Sequence, residues 1–344
     1  MLPLPADVLE RLGAGAESAD RSADWPQASW DALRPTGVLA WAVPSEYGGA
    51  ERGPVACLRA GEALGSACLT TAFTLSQREA AVRLLLKGPA PLQRRYLPGL
   101  ATGSHFMTVG LSQLTTSRQH QGPALTARPA GGVFVLDGDI PWVTGADRAV
   151  AIVIGATLPD ASQLLVVLPT DRAGVTVGPP LPLAALVGSR TSLVQCRGVV
   201  VEPELILAGP TESVLGKGGG GGPETSALAL GLAAAAANYL RQEAAKRPVL
   251  MRCVDRLESL LTAARSRLHA LAGGPPSDAV LTVRVECTKL VLRTTQTALL
   301  IAKGAGFVAP HAVQRWARQA MFFLVWSCPR PVAEGILEDL LPGA

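Results

Sequence analysis

The sequence predicts an α+β chain in three regions: helices over residues 1–104, short β-strands over 105–215 and helices again over 223–344. Three observations carry that division. Apolar residues in the first region recur at helical spacing, and those of the middle region fall in short β-branched runs between turn residues. The last region opens on an almost unbroken Ala and Leu stretch.

In the first region Cys57, Leu58, Ala60 and Leu64 share one helical face, and residues 80–86 continue in the same style. Pro44 and the pair Gly48-Gly49 break the chain before that helix, Gly88-Pro89 breaks it after, and residues 96–100, with Pro98, are expected to close the region. In the middle region Val133 to Asp139 is a strand running into a turn, followed by strands at 149–155, 163–168, 174–178 and 198–201. Their regular spacing without helical insertions predicts an antiparallel barrel or sandwich. The last region follows a Gly-rich linker, Gly218 to Gly222, with Pro223 at a first helical position and Glu224 in the first turn. The helix over 224–246 is almost all Ala and Leu and should be buried on most sides. Further helices are expected at 248–271, 277–302, 310–326 and 330–341, with the clearest break at Gly273-Gly274-Pro275-Pro276.

Composition bounds the function. Of the 344 residues 48% are hydrophobic and 17% charged, enough for a large core and against disorder. Aromatics are only 4%, so small aliphatic side chains must fill the interior. The net charge of +4 is spread out, and Arg94-Arg95 has no aromatic neighbour beyond Tyr96, which argues against nucleic-acid binding. Six cysteines without a C-x-x-C pair read as reduced thiols of a cytoplasmic protein. No basic-then-apolar leader opens the sequence, and the apolar run Ala227 to Ala237 is shorter than the ~20 residues that span a bilayer, so no membrane partner is expected.

Local chemistry alone is sparse. Gly110-Leu111-Ser112-Gln113-Leu114 lacks the second glycine of an esterase elbow. His105, His120, His269 and His311 have no metal-ligand spacing, and no metal is expected. Gly218 to Gly222 lacks the Lys-Ser/Thr of a phosphate loop, which leaves it a linker.

Several segments, in order along the chain, resemble the acyl-CoA dehydrogenase family. Pro44-Ser45-Glu46-Tyr47-Gly48-Gly49 is similar to its early P-x-x-Y-G-G turn, and Leu136 to Gly145 (LDGDIPWVTG) to its L-x-G-x-K-x-W-I-T-N strand. Gly188-Ser189-Arg190-Thr191-Ser192 with Val199 to Pro203 resembles its G-x-R-x-S … V-x-V-P stretch, and Gly304-Ala305-Gly306-Phe307 with Arg318-Gln319-Ala320 its G-G-x-G-F … R-D-A segment. The resemblance implies an N-terminal helical domain, a middle antiparallel β-barrel and a C-terminal four-helix bundle, in a homo- or hetero-oligomer. It also implies FAD between barrel and bundle and an acyl-CoA substrate, from which a carboxylate takes the α-proton while the β-hydrogen leaves as hydride.

Carried over by position, Trp142 and Thr144 match flavin-ring contacts, Thr116 stands where the flavin loop places a serine, and Gly304 and Gly306 match cofactor-binding glycines. The flavin arginine of the R-x-x-F-G motif has no match near Arg241 to Met251, and the usual glutamine and glycine of the bundle fall on Leu300 and Lys303. The family's catalytic glutamate falls on Ser327, whose neutral hydroxyl is no substitute for a carboxylate base. Some members place the glutamate near the start of the first bundle helix; the ungapped match there is Gly221, and a register shift in the Gly-rich stretch would bring in Glu224, three residues on. Three functions follow: an acyl-CoA dehydrogenase using Glu224, a flavin oxidase or monooxygenase of the same fold, and a non-catalytic subunit pairing with a complete homologue.

Overall fold

A computed structural model describes residues 4–115, 122–216, 222–274 and 277–341. The first region holds α1 (Ala6–Ala14), α2 (Ala16–Arg21), α3 (Gln27–Leu33), α4 (Pro54–Ala67), α5 (Leu69–Leu85) and α6 (Ala90–Thr102). Helix α6 runs through Pro98, where the sequence suggested an end, and stops instead at Gly103 in the left-handed region (φ 72°). The middle region holds β1 (Met107–Gly110), a turn of helix α7 (Ser112–Thr115), β2 (Leu125–Ala130), β3 (Val133–Val143), β4 (Ala151–Thr157), β5 (Gln163–Pro169), β6 (Val175–Pro180), β7 (Ser192–Val201) and β8 (Ile206–Thr211). Helices α8 (Pro223–Lys246), α9 (Met251–Ala270), α10 (Ser277–Gly306), α11 (Ala312–Met321) and α12 (Arg330–Leu340) complete the chain. Of the Gly-rich linker, only Gly222 lies within the described residues.

The eight strands form one sheet in the order β6-β7-β3-β2-β4-β5-β8, with β1 added beside β4. Among the described residues the outer strands β6 and β8 do not pair, so the sheet curls without closing, and both β1 and β2 run parallel to β4. An all-antiparallel barrel is therefore replaced by an open, mixed sheet. Parallel pairing needs β4 reached by a crossover rather than a hairpin, and no composition signal announces that.

Alternation within β4 and β5 explains why both read as continuous apolar runs. Ile152, Ile154, Leu164, Val166 and Leu168 enter the core enclosed by the sheet. Their neighbours Ala151, Val153, Leu165 and Val167 face the other way, onto Val82 and Leu85 of α5 and Leu97 and Leu100 of α6. The sheet thus lies between its own interior and the first helical region.

A third core joins the first and last regions. Helices α8 to α11 form the C-terminal bundle, with α12 packed outside on α10 and α4 packed on α8. The α4–α8 contact is made at backbone distance by two glycines. A Cβ on Gly65 would lie 2.9 Å from the Leu228 carbonyl oxygen, and one on Gly231 would collide with the carbonyl oxygen of Glu62. The Ala-rich sequence of α8 serves this approach, since Ala227, Ala229, Ala233 and Ala236 are fully buried.

Asp20 on α2 ties all three regions together. Its Oδ1 accepts from the Leu186 backbone N–H at 2.9 Å and from Gln319 Nε2 at 2.8 Å, and its Oδ2 pairs with Arg318 at 2.8 Å.

Gly231→Ala is expected to lower stability by about 1–3 kcal/mol through overpacking against the α4 backbone, despite the better helix propensity of alanine. Gly61→Ala, whose methyl would meet Leu228 Cδ1 at an ordinary 3.5 Å, should be neutral or mildly stabilising. Urea unfolding midpoints of the two variants check the contrast.

Candidate active site

A cavity of about 1160 Å³ lies among α5, the β1 and β3 end of the sheet, the first turn of α8 and the segment from α11 to α12. It is large enough for a flavin ring system together with a small acyl group, since small-molecule sites commonly span ~300–1,000 Å³. Trp142, Thr144, Glu224 and Ser327 all line it, although the sequence separates the first from the last by most of two regions. Gly304 and Gly306 do not line it. They sit at the end of α10, where Lys303 breaks the helix with φ 55° and ψ −149°. Thr116 lies outside the described residues, while Thr115 before it reaches the cavity wall.

Helix α5 supplies one wall because its residues recur every three or four positions: Phe73, Gln77, Ala80 and Arg83, with Lys87 just beyond the helix. From Phe73 to Arg83 this stripe runs about 15 Å and passes from aromatic to polar to cationic.

The sheet supplies the ring-binding wall. Pairing between β3 and β7 shifts register between Ile140 and Val143, and within that irregularity Trp142 adopts φ 62°. A bulky residue rarely takes that conformation, and here it turns a tryptophan out of the sheet, 54% exposed at the cavity. Beside it buried Thr144 lies 3.2 Å from the Thr191 hydroxyl, which in turn lies 2.9 Å from that of Ser189. Thr191 also lines the cavity. It stands within the matched Gly188 to Ser192 stretch, so the signal for it was present in the sequence although no role was drawn from it.

A half-exposed indole beside paired hydroxyls suits a planar ring with polar edges, so this wall fits a flavin ring. Of the cations among the described residues that line the cavity, Arg318 is already held by Asp20 and by the Ala184 carbonyl at 2.8 Å, and Arg83 by Glu224, which leaves Lys87 as the cation to meet a diphosphate.

The carboxylate of Glu224 pairs with Arg83 at 3.2 Å and folds back over Gly222, where a Cβ would collide with Glu224 Oε2. Arg83 was not anticipated; its place in the α5 stripe was the available sign. One turn earlier on α5, Glu79 pairs with buried Arg78. Burial raises the Glu79 carboxyl above its ordinary value, outweighing the pull of Arg78 and Arg83, and Glu224 adds to the rise. Cys57 belongs to the same neighbourhood: burial, then Glu79 and Glu224, push its thiol up to about 11.

Ser327 follows a short aromatic turn, Phe322 to Trp326, and itself has φ 45°. Buried Arg284 on α10 holds this turn, its Nη2 donating to the carbonyls of Trp326 at 2.8 Å and Phe323 at 3.3 Å. Burial lowers that guanidinium to about 10. Ser327 therefore sits in a fixed loop, at the cavity, but presents only a hydroxyl. Among the described residues no cluster of three or more His, Cys, Asp or Glu is placed to hold a metal, and no helix is long and apolar enough to cross a membrane.

Residues 8–104 match the family described as acyl-CoA dehydrogenase, N-terminal domain. The chain is similar to the probable acyl-CoA dehydrogenase YngJ of Bacillus subtilis, with 24% identity over 90% of this chain and 88% of that protein. Among solved structures it is similar to butyryl-CoA dehydrogenase from Megasphaera elsdenii, at TM-score 0.84, 18% identity and coverage of 97% of this chain and 96% of the other. It is also similar to FMN-bound TdsC from Paenibacillus sp. A11-2, at TM-score 0.79, 18% identity and coverage of 97% and 96%. These likenesses establish the fold over nearly the whole chain.

Because folding raises the Glu79 carboxyl above 4.5, its contribution to stability is present below that pH and is lost as pH rises through the raised value. Glu79→Gln should flatten that part of the curve, leaving a smaller fall in urea midpoint between about pH 4 and about pH 8 than the parent protein gives.

Proposed function

Taking the chain as a divergent relative of the acyl-CoA dehydrogenases, we propose that it is a flavin-dependent oxidoreductase acting on the CH–CH bond of an acyl thioester such as an acyl-CoA. The observation that carries this reading is the convergence of Trp142, Thr144, Glu224 and Ser327 on one cavity. Trp142 would lie against the flavin ring, with the Thr144 and Thr191 hydroxyls offered to its polar edge. The bound flavin would accept a hydride from the substrate β-carbon.

What remains for the chain is the α-proton. Glu224 is the carboxylate at the cavity, and it would take that proton through an oxygen released from the 3.2 Å contact with Arg83. Ser327, in the position of the family base, would orient substrate by hydrogen bonding rather than remove a proton. We assign FAD as the flavin. Gly304 and Gly306 stand off this cavity and are left out of the proposed flavin contacts, and a homo- or hetero-oligomer is carried as part of this proposal.

A second reading, a flavin oxidase or monooxygenase, is favoured by the hydroxyl at Ser327 and by the likeness to TdsC, a dibenzothiophene monooxygenase. Oxygen chemistry at a flavin does not require a carboxylate over the α-carbon.

The purified full chain is expected to carry a yellow flavin that butyryl-CoA or a related acyl-CoA bleaches anaerobically. Glu224→Gln should slow that bleaching by about 10²–10⁴-fold, the ordinary range for loss of a general base, with flavin content unchanged. Bleaching that survives Glu224→Gln removes Glu224 as the base. A flavin reduced only by an external donor, and reoxidised by oxygen, supports the second reading.

A further inference from the structure

We infer that the acyl group this site takes is a short aryl-substituted one, its ring seated against Phe73, Phe322 and Trp326. The inference rests on the acyl-thioester reading and narrows it. Aromatics make up only 4% of the chain, yet Phe73, Trp142, Phe322 and Trp326 all line the cavity. Trp142 stands on the sheet; the other three form one cluster. Phe73 meets Phe322 edge-on at 4.8 Å and 75°, and Trp326 at 4.9 Å and 79°, while Phe322 and Trp326 stack at 5.4 Å and 14°. Such a cluster presents ring edges and faces to the cavity. A further aromatic ring meets these with quadrupole complementarity that an alkyl chain lacks.

The rest of the cavity sets the length of the acyl group. Trp326 and Ser327 are consecutive, with Cα atoms about 3.8 Å apart, so a ring against Trp326 lies close to the position that faces the reacting carbons. A long alkyl chain continuing along α5 would instead pass Gln77 and reach Lys87 and the Arg83–Glu224 pair, desolvating charged groups at a cost. Ring and carbonyl separated by two or three carbons satisfy both ends.

Calorimetric titration of the full chain supplied with FAD tests this with three probes: 3-phenylpropionyl-CoA, 3-cyclohexylpropionyl-CoA and octanoyl-CoA. The phenyl and cyclohexyl ligands match in size and differ in the π-system. The phenyl ligand should bind about three- to tenfold more tightly than the cyclohexyl one, and more tightly than octanoyl-CoA. Trp326→Leu should bring the phenyl-to-cyclohexyl ratio to about one, with Phe322→Leu as a second variant should the first not fold. Equal affinity for the matched pair, or tightest binding of octanoyl-CoA, overturns the aryl inference and leaves the acyl-thioester reading standing. Failure of all three ligands to bind overturns both.

Discussion

Asp20 places a carboxyl group with no solvent exposure where three regions of the chain meet. A carboxylate so placed is stable only if donors surround it, and each region supplies or receives one of those bonds. The Leu186 N–H belongs to the loop between β6 and β7, while Gln319 and Arg318 belong to α11. That loop and that helix are also cavity walls, through Ala184, Ala185, Thr191 and Arg318. Arg318 reinforces the joint by donating to the Ala184 carbonyl, and Arg315 pairs with Glu17 one turn before Asp20 at 2.9 Å. The shape of the candidate site therefore depends on a buried carboxyl group about which none of its own chemistry turns.

The sheet has a complementary role. By dividing alternate residues of β4 and β5 between two cores, it fixes α5 and α6 on one face while its interior is filled independently. Helix α5 is then held between sheet and bundle, which explains why so many of its residues, from Leu69 to Ser76, are buried on all sides.

The sequence made the three-part order plain, since β3 to β7 and α8 to α12 announce themselves by period and by breakers. The strands it did not reveal, β1, β2 and β8, are short and interrupted by Gly, Pro or Arg, as in LTARPA and ILAGPT, and gain their conformation from neighbours. Openness of the sheet and the parallel strands beside β4 are pairing choices, which no local residue preference records. Trp142, Thr144 and Ser327, singled out by motif position, and Glu224, three residues past the ungapped match at Gly221, all line the cavity. Arg83 and the ring cluster were not legible in the sequence, because an ion pair across 141 residues and ring packing across 253 leave no spacing to read. Gly304 and Gly306 match a motif yet stand away from the cavity of their own chain, a distinction only the folded arrangement draws.

The glycine contact between α4 and α8 bears on how the carboxylate at the cavity moves. With the backbones touching at Gly65 and Gly231, α8 has no room to slide or roll against α4. Its first turn is carried by that anchored helix, so the change of partner proposed for Glu224 would come from rotation about its own side-chain bonds, over a Gly222 that offers no methyl in the way. Exchange of this kind runs on the picosecond-to-nanosecond scale, well ahead of domain motions. On the proposed role of Glu224, proton transfer at this cavity would be governed by a swivel and not by a gate.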